Sequence, residues 1–564
     1  MSRALAHSSS RPDAALVPYP DEAISRYRAA GIWGGRTLAD ELTDALADHT
    51  GRLALVTADV RWTYDELNAE VEGFARGITT VTDLRAGDRV MFQMGNAAET
   101  VVAYLGALRA GLVPVCTLAQ HGSREIGLLA EHVGARSLFT QADYRDGRLL
   151  QVAETLVERS VIDTVVVARG HGDETGVQFA DVIAAGGVTT PTDVAPEVNL
   201  TDVAVFQLSG GTTGLPKIAP RLHEEYWYNS RRWAEVLGWS PTTKVLYPLP
   251  LLHNAGIALA LQPVLSAGAT LVLADSADTD LILDLIETER PTSMPLVPPA
   301  VAIRLLESSR SATVDFSSID EFVVGGQKLA LEVAQRLRDE LGIAIRQMFG
   351  MAEGMFLVTP AGARDEISFH TVGRPISELD EVRIVDPITE RDVEPGDIGE
   401  LWARGPYTIR GYYAAAEHNQ SALSADGFYR TGDLARAHLI DGETYYSIDG
   451  RIKDVINRGV EKIHAEEVED LILRHPDIEN VAVVAMPDEV LGERVCAYLV
   501  VHEGRPAPTV TSLGAHLRAL GLATYKLPER VETRDALPLT NVGKVARKSL
   551  RDDIAELLHH ETGA

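Results

Sequence analysis

Leu208-Ser-Gly-Gly-Thr-Thr-Gly-Leu-Pro-Lys217 is the stretch that most strongly constrains the fold and the chemistry of this chain. It directly follows an apolar segment, 203–208, that predicts a buried β-strand. Its glycines let backbone N–H groups converge on phosphate oxygens, and its hydroxyls and Lys217 add donors and a cation. A Walker A loop reads G-x-x-x-x-G-K-[ST], whereas Lys217 here follows Leu-Pro. We therefore predict a phosphate-binding loop of another class.

Apolar segments on both sides of this loop alternate with segments of helical periodicity. The predicted strands are 89–94, 112–116, 164–168, 203–208, 269–273 and 321–324, with a helix at 97–110 between the first two. Strands that alternate with helices indicate parallel sheets covered on both faces. Beyond about residue 434 the pattern changes to hairpin strands, a helix from Ala465 and two strands, 481–486 and 495–501. We expect an α/β protein with a separate small α+β unit at its end.

The predicted domain organisation has three parts. Residues 1–16 are rich in Ser, Ala and Arg without an apolar run, which indicates a disordered tail rather than a signal peptide. Residues 17–452 form a large N-terminal domain, and residues 453–564 form a mobile C-terminal domain. The segment Asp449-Gly-Arg-Ile-Lys-Asp454 is the candidate hinge between them.

Charge and cysteine content exclude several classes of partner and site. The formal net charge of −29 repels phosphate backbones and anionic lipids, so we expect neither nucleic acid nor membrane partners. The apolar stretches 101–119 and 257–274 are both interrupted by polar residues or prolines and do not predict membrane spans. Two distant cysteines, Cys116 and Cys496, favour a reducing compartment, the cytoplasm. No CxxC or HExxH pattern supports a zinc site.

Six motifs occur in an order that resembles the adenylate-forming superfamily of acyl-CoA synthetases, luciferases and peptide-synthetase adenylation domains. They are the 208–217 loop, Gln347-Met-Phe-Gly-Met-Ala-Glu353-Gly, Gly399-Glu-Leu-Trp-Ala-Arg-Gly405, Tyr429-Arg-Thr-Gly-Asp433, Gly450-Arg-Ile-Lys-Asp454 and Asn541-Val-Gly-Lys544. The resemblance implies that family's fold, with βαβ-layered parallel sheets, a β-barrel-like subdomain and a mobile C-terminal domain. Over nearly its whole length, the sequence most resembles stand-alone aryl acid AMP ligases that activate 2,3-dihydroxybenzoate in siderophore assembly.

The resemblance also implies roles for particular residues. Lys544 is the implied catalytic lysine, His253 a gate near the acyl pocket, Glu353 the Mg²⁺ ligand, Lys453 the hinge pivot and Gly459 part of a thiol tunnel. The residues implied to bind ATP are Ser209, Gly210, Gly211, Thr212, Thr213, Gly214, Lys217, Gly326, Gln327, Met348, Phe349, Gly350, Met351, Ala352, Asp433 and Arg451. By local pattern alone, Asp433 equally fits a helix N-cap, Glu353 a solvated side chain and His253 a satisfied core residue.

The predicted acid pocket contains Asn254, Ala255, Leu259, Gly325, Gly326, Met351 and Phe356. Amino-acid-activating relatives carry Asp at the position of Asn254, and a neutral amide cannot pair with a buried ammonium, so the substrate lacks an α-amine. Ala255, Leu259 and Phe356 depart from the dihydroxybenzoate pattern, which has an aromatic, a small polar and an aliphatic residue there. Loss of a partner for the 3-hydroxyl costs about 1–3 kcal/mol. We therefore expect another aryl or heteroaryl acid, such as a hydroxypicolinate or a quinoline-type acid.

The acceptor of the acyl group is expected to be a thiol supplied in trans. Family likeness favours the phosphopantetheine of an aryl carrier protein, and Val460, which replaces a usual glycine, narrows the implied tunnel. An aryl-CoA ligase that uses free CoA is the competing enzyme hypothesis. A luciferase-like oxygenase and a non-catalytic nucleotide-binding protein are two further hypotheses. The joint presence of Lys217, Glu353, Asp433 and Lys544 argues against the non-catalytic protein, because a pure binder needs no mobile lysine.

Overall fold

The structure is a computed structural model of the chain. It describes residues 15–170, 176–188, 198–209, 216–458, 461–488, 491–540 and 544–562. The tail expected at 1–16 therefore lies almost wholly outside the described residues, as do Gly210, Gly211, Thr212, Thr213, Gly214 and Gly459.

Strands are numbered along the described chain. They are β1 Leu53–Val56, β2 Arg61–Thr63, β3 Arg89–Gln93, β4 Val113–Cys116, β5 Ser137–Gln141, β6 Thr164–Ala168, β7 Val177–Gln178, β8 Val203–Leu208, β9 Ile218–Leu222, β10 Lys244–Tyr247, β11 Thr270–Leu273, β12 Ser293–Val297, β13 Glu321–Gly325, β14 Ile345–Gly350, β15 Phe356–Val358, β16 Arg374–Pro375, β17 Glu381–Val385, β18 Gly399–Arg404, β19 Tyr429–Ile440, β20 Glu443–Arg451, β21 Val455–Arg458, β22 Glu461–His464, β23 Ile478–Asp488, β24 Gly492–Val501 and β25 Arg530–Thr533.

Helices are numbered in the same way. They are α1 Asp21–Ala29, α2 Leu38–Asp48, α3 Tyr64–Val81, α4 Ala98–Arg109, α5 Ser123–Val133, α6 Arg148–Glu158, α7 Phe179–Val188, α8 His223–Leu237, α9 Asn254–Gly256, α10 Gln262–Ala267, α11 Thr279–Glu289, α12 Pro299–Glu307, α13 Leu331–Leu341, α14 Asp365–His370, α15 Ala416–Ala422, α16 Ala465–Ile472, α17 Val510–Ala519 and α18 Arg547–Thr562. A short π-helical segment, Ile257–Leu261, links α9 to α10.

A seven-stranded sheet, in the order β7-β6-β5-β3-β4-β8-β9, carries the phosphate loop predicted from the sequence. Its pairs are parallel except β8 with β9, which are antiparallel neighbours. Every residue of β8 is buried, as expected of a strand covered by helices on both faces. The 209–217 loop therefore leaves the carboxyl end of β8 and returns directly along β9.

A nine-stranded sheet, in the order β16-β15-β14-β13-β12-β10-β11-β1-β2, carries three further predicted site residues. Its central strands from β14 to β1 are parallel, and its outer pairs are antiparallel. The carboxyl ends of parallel strands meet at one edge of a sheet, where ligands of α/β proteins bind. Gly326 follows β13, Glu353 follows β14 and His253 follows β10, so one edge of the sheet presents all three.

Two smaller sheets complete the described fold. The sheet β17-β18-β19-β20 is antiparallel and has an open strand order, where the resemblance implied a β-barrel-like subdomain. The last sheet, β22-β21-β24-β23 with β25 beside β24, packs against α16, α17 and α18 and forms a core of its own. Among the helices of the described residues, none combines the length and apolar character needed to cross a lipid bilayer.

Candidate active site

The base of the phosphate loop is closed by backbone pairing between its two flanking strands. Leu208 pairs with Ile218 in the β8–β9 register, and the backbone N–H of Ser209 donates to the carbonyl of Lys217 at 2.9 Å. Ser209 is buried at the end of β8. The two described ends of the loop are thus held side by side, as a loop that wraps a small ligand requires.

The ammonium of Lys217 lies in an aromatic and polar surrounding that the sequence did not predict. Its Nζ is 2.8 Å from Nε2 of His418, on α15, and 5.1 Å from the centroid of the Tyr412 ring. Burial lowers the pKa of Lys217, and the charge of Glu353 opposes that shift. Burial also lowers the pKa of His418, so at neutral pH its imidazole is uncharged and accepts a hydrogen bond from the lysine. His418 has no motif around it that could have identified it.

Glu353 is a buried carboxylate, not the solvated side chain that its local sequence also allowed. It is 7% exposed, and the hydroxyl of Tyr412 donates to its Oε1. Tyr412 and Tyr429 pair through their hydroxyl oxygens at 2.7 Å, which ties the carboxylate to β19. Hard carboxylate oxygens are the ligands that Mg²⁺ prefers, and it usually completes its shell with phosphates and water. Glu353 thus offers one carboxylate to such an ion, and no cluster of three or more His, Cys, Asp or Glu side chains suited to a metal occurs in the part of the chain that the structure describes.

Gly354 allows the turn after β14 to approach the segment 405–413. Its φ is +91°, and a Cβ there would lie 1.8 Å from the carbonyl oxygen of Tyr407. A backbone hydrogen bond also joins the two segments: the N–H of Ile409 donates to the carbonyl of Glu353 at 2.8 Å. Only glycine meets both demands, a positive φ and no side chain.

Arg221 is a fully buried arginine that connects the return strand β9 to the same turn. It is paired with Glu225 at 2.6 Å, and it donates to the carbonyls of Ala352 at 3.0 Å and Tyr407 at 3.1 Å. A buried ion pair persists when its remaining donors are satisfied, as they are here. The i, i+4 spacing of Arg221 and Glu225 was visible in the sequence, but the carbonyl oxygens to which Arg221 donates were not.

Asp433 lies on a strand, so the helix N-cap that its sequence also allowed is wrong. On β19 it is paired in register with Arg451 of β20, and its Oδ1 is 2.8 Å from Nε of Arg451. Asp433 is 5% exposed; burial raises its pKa, and the Arg451 charge opposes that shift. The carboxylate charge in turn raises the pKa of Arg451.

Lys544 reaches from the C-terminal region to the edge of the nine-stranded sheet. Its Cε lies 3.8 Å from the position a Cβ would take on Gly326. Its charge interacts with those of Asp433 and Glu353, and burial lowers its pKa. Burial lowers the pKa of His253 to about 4, and the charge of Lys544 adds to that shift. Charged groups from motifs far apart in the sequence thus act electrostatically on one ammonium group.

His253 and Asn254 begin the short helix α9. Nδ1 of His253 accepts the N–H of Ala255 at 3.2 Å, so the imidazole acts as a helix cap. Asn254 is 3% exposed, and its Oδ1 accepts the hydroxyl proton of Tyr226 at 3.0 Å. Leu259 follows within the π-helical segment, a geometry frequent at functional sites.

Glycines at the ends of β13 and β14 leave space that two larger side chains occupy. A Cβ on Gly325 would lie 2.4 Å from Cγ of Met348, and one on Gly350 would lie 2.8 Å from both Cε of Met348 and Cδ1 of Phe356. Phe356 is buried on β15, with its ring edge-on to Trp233 at 5.8 Å between centroids. The aromatic side chain of Phe356 therefore fills the space beside Gly350, at the end of β14.

The remaining predicted residues lie around these groups. Gln327 is half-buried after β13, Phe349 and Met351 are partly buried apolar residues of the core beside β18, and Ala255 is buried. Lys453 lies in a short 3₁₀ turn, 452–454, between β20 and β21, and its charge contributes to lowering the Lys544 pKa.

Comparison with known proteins gives a consistent result. The model described as "AMP-binding enzyme" matches residues 42–413, and the model "AMP-binding enzyme C-terminal domain" matches residues 467–544. The chain is 39% identical over 544 residues to the 2,3-dihydroxybenzoate-AMP ligase of Bacillus subtilis (strain 168), with 96% of this chain and 98% of the relative covered. It is 40% identical to a salicylyl-CoA synthase / salicylate adenylyltransferase of Streptomyces sp, with 95% and 97% covered. The apo structure of Mycobacterium smegmatis MbtA is similar at a TM-score of 0.72 and 36% identity, with 96% of this chain and 99% of that chain covered.

Proposed function

This chain belongs to the family of AMP-binding enzymes, and on that premise we propose that it is an aryl acid:AMP ligase. It converts an aryl or heteroaryl carboxylic acid and ATP into the aryl-AMP and pyrophosphate, and then transfers the acyl group to a thiol. Relatives named as 2,3-dihydroxybenzoate-AMP ligase, pyochelin synthase PchD and enterobactin synthase component E support a place in siderophore or nonribosomal peptide assembly.

ATP is held by groups from three of the four sheets. The 209–217 loop and Lys217 receive the phosphates, and Asp433 accepts hydrogen bonds from the ribose hydroxyls in place of its present partner Arg451. Glu353 holds Mg²⁺, which supplies positive charge to the phosphate oxygens when bound. The backbone around Gly326 and Gly350 can approach the base because it carries no side chain there.

Adenylation brings two anions together, so its barrier is largely electrostatic and positional. A carboxylate oxygen of the acid attacks the α-phosphorus, the bond to the bridging oxygen breaks, and pyrophosphate leaves with that electron pair. Lys544 donates to the acid and to the phosphate as charge develops. His253, neutral at physiological pH because burial lowers its pKa to about 4, adds no second positive charge beside Lys544.

The substrate lacks an α-amine, because Asn254 offers an amide where an ammonium would require a carboxylate. Ala255 leaves room that a larger aromatic residue would fill, while Phe356 narrows the pocket from the β15 side. Leu259, fully buried, offers no hydrogen-bond partner for a 3-hydroxyl. These departures favour a heteroaryl acid, such as a hydroxypicolinate or a quinoline-type acid, over 2,3-dihydroxybenzoate.

The thiol acceptor is the phosphopantetheine of an aryl carrier protein supplied in trans. Residues 453–564, which we call the lid, turn about Lys453 after adenylation so that Lys544 leaves and the Gly459 loop approaches the acyl-AMP. The thiolate attacks the acyl carbon and AMP leaves. Free CoA is the second candidate acceptor, because one relative at 40% identity is named a salicylyl-CoA synthase.

The cytoplasm is the proposed compartment. Cys116 and Cys496 are both free and buried, and neither is paired in a disulfide. Separate reduced thiols are typical of a reducing compartment.

One observation carries the adenylation proposal, namely that Lys544 approaches Asp433, Glu353, His253 and Gly326. The test is acid-dependent pyrophosphate release by the purified protein with benzoate, salicylate, 2,3-dihydroxybenzoate, picolinate and quinaldate, followed by mass detection of the acyl-AMP. Holo aryl carrier protein and CoA are then added in parallel to compare thioester yields. Absence of an acyl-AMP with every acid would contradict the function, and clear preference for 2,3-dihydroxybenzoate would contradict the proposed substrate class.

A further inference from the structure

Three buried polar side chains connect the seven-stranded sheet to the acid pocket. Gln207 of β8 is 1% exposed, Tyr226 of α8 is fully buried, and Asn254 of α9 is 3% exposed. Nε2 of Gln207 donates to the Tyr226 hydroxyl at 3.1 Å, and that hydroxyl donates to Oδ1 of Asn254 at 3.0 Å. Each member comes from a different element, so the arrangement depends on how β8, α8 and α9 pack.

The direction of these hydrogen bonds is determined by the chemistry of the donors. An amide NH₂ group only donates, so the Tyr226 oxygen accepts from Gln207 and must give its single proton to the carbonyl oxygen of Asn254. The guanidinium of Arg221, 4.5 Å from the centroid of the Tyr226 ring, holds the ring in place. The pKa of Tyr226 is raised by burial, so its hydroxyl keeps its proton at neutral pH.

We propose that Tyr226, oriented by Gln207, is a positioning residue that turns the NH₂ group of Asn254 toward the acid pocket. The inference rests on the proposed function and names a feature of the acid that the enzyme would accept. A pocket that presents donors selects aryl acids with a hydrogen-bond acceptor beside the carboxylate, a ring nitrogen or a hydroxyl oxygen. An acid with an ortho-amino group instead places a donor against a donor, which leaves both groups unpaired in a buried site.

The expected selectivity is measured as a ratio of kcat/KM values for pyrophosphate release. The unaltered enzyme should favour picolinate and salicylate over anthranilate by about tenfold or more, as expected for an unpaired buried polar group. In the Tyr226→Phe variant the carbonyl of Asn254 loses its partner and the amide is free to turn over. The ratio should fall toward one. The KM for ATP should stay unchanged, because the side chain of Tyr226 pairs with Gln207, Asn254 and Arg221, none of which is a predicted nucleotide-binding residue.

Tyr228→Phe is the matched control. Tyr228 lies on the same helix and is also buried, but its hydroxyl pairs with Ser377 at 2.8 Å and not with Asn254. This variant should keep the acid selectivity of the unaltered enzyme. Gln207→Leu removes the donor that orients Tyr226 and should also lower the ratio, which provides a second measurement if Tyr226→Phe does not fold.

Two results would overturn the inference. One is an unchanged selectivity ratio in folded Tyr226→Phe or Gln207→Leu protein, and the other is an equal loss of selectivity in Tyr228→Phe. Absence of pyrophosphate release with every acid in the unaltered enzyme would instead reject the proposed function and this inference with it. Adenylation without the selectivity change rejects the inference alone, so the two failures are distinguishable.

Discussion

Lys544 lies among charges of both signs. Asp433 and Glu353 favour its protonated form, whereas Arg451 and Lys453 oppose it and burial lowers its pKa. The two carboxylates therefore help to keep a half-buried ammonium charged before substrates arrive. Such preplaced donors act without reorganisation when charge develops during the reaction.

Lys544→Ala should abolish adenylation while leaving ATP affinity nearly unchanged. Removal of one preplaced donor costs about 2.7–4 kcal/mol of transition-state stabilisation, or roughly 10²–10³ in kcat. Acid-dependent pyrophosphate exchange measures the rate, and equilibrium binding of ATP measures the affinity. Lys548→Ala, an exposed lysine on α18, is the control and should behave like the unaltered enzyme. Normal exchange by Lys544→Ala would contradict its catalytic role.

His223 should make the protein less stable as the pH falls below neutral. Its Nδ1 accepts the N–H of Leu38 at 3.1 Å, and burial lowers its pKa to about 4, with Asp40 opposing. Above the unfolded pKa of about 6.5 both states are neutral and the effect is absent. As the pH falls below about 6.5, His223 binds a proton in the unfolded chain but not in the folded chain, which lowers the free energy of unfolding. The loss approaches roughly 3 kcal/mol near pH 4.

The His223→Asn variant keeps an acceptor for Leu38 but cannot titrate. Its thermal midpoint, measured by calorimetry from pH 7.5 to 4.5, should decline less steeply than that of the unaltered protein. His502→Asn, at an exposed position, should keep the steeper decline. Equal slopes for all three proteins would show that His223 is protonated in the folded state.

At the scale of elements, the turn after β14 is held by its approach to the segment 405–413. The carbonyls of Ala352 and Tyr407 share Arg221, and the backbone of Glu353 bonds to Ile409. The position of the Glu353 carboxylate therefore depends on backbone contacts as much as on its own side chain. A change at Gly354, which is not itself a predicted ATP-binding residue, should therefore affect adenylation through the position of Glu353.

Gly354→Ala should impair both folding and adenylation. A Cβ there would lie 1.8 Å from the Tyr407 carbonyl, so the turn must move and Glu353 with it. Gly362→Ala is the control, because its φ is also positive, +64°, but nothing lies within 4 Å of the added atom. The control should lose only about 1–2 kcal/mol, the cost of a left-handed non-glycine residue. Thermal midpoints and pyrophosphate exchange compare the two, and equal effects would contradict the steric argument.

At the scale of the whole molecule, an ion pair joins the lid to the body of the protein. Nζ of Lys328, just beyond the Gly325–Gly326 turn, is 2.5 Å from Oδ2 of Asp470 on α16. Both side chains are partly exposed, at 44% and 38%. We expect the pair to stabilise the arrangement in which Lys544 lies beside Gly326 and to be absent after the proposed turn of the lid.

Asp470→Ala should slow adenylation by roughly two- to fivefold, the range for an exposed pair worth up to about 1 kcal/mol. Transfer of the acyl group from preformed acyl-AMP to the thiol should not slow. Glu467→Ala is the control, because Glu467 on the same helix pairs with Lys526 within the lid, at 2.6 Å. The double variant that exchanges the two charges, Lys328→Asp with Asp470→Lys, should restore the adenylation rate. If Asp470→Ala does not slow adenylation and the double variant does not restore it, the proposed role of the pair is refuted.

Local patterns in the sequence determined the class of fold, the order of the motifs and most strand positions. The strands predicted at 164–168 and 203–208 have the same bounds in the structure, and the helix predicted at 97–110 begins and ends one residue inside them. Runs of buried apolar residues and helical periodicity report on burial, which is a local property. The adenylation reaction was therefore predictable from the order of the motifs, and the two family matches confirm the resemblance on which that prediction was based.

Tertiary structure alone determined which polar atoms meet. His418 beside Lys217, Arg221 on the carbonyl of Ala352, and Tyr226 on Asn254 are all contacts between elements far apart in sequence. The sequence of a helix indicates which of its faces is buried. It does not indicate which distant carbonyl or hydroxyl will pair with the polar side chains on that face. Those pairings follow from how the helices and sheets pack, because most buried donors and acceptors find a partner there.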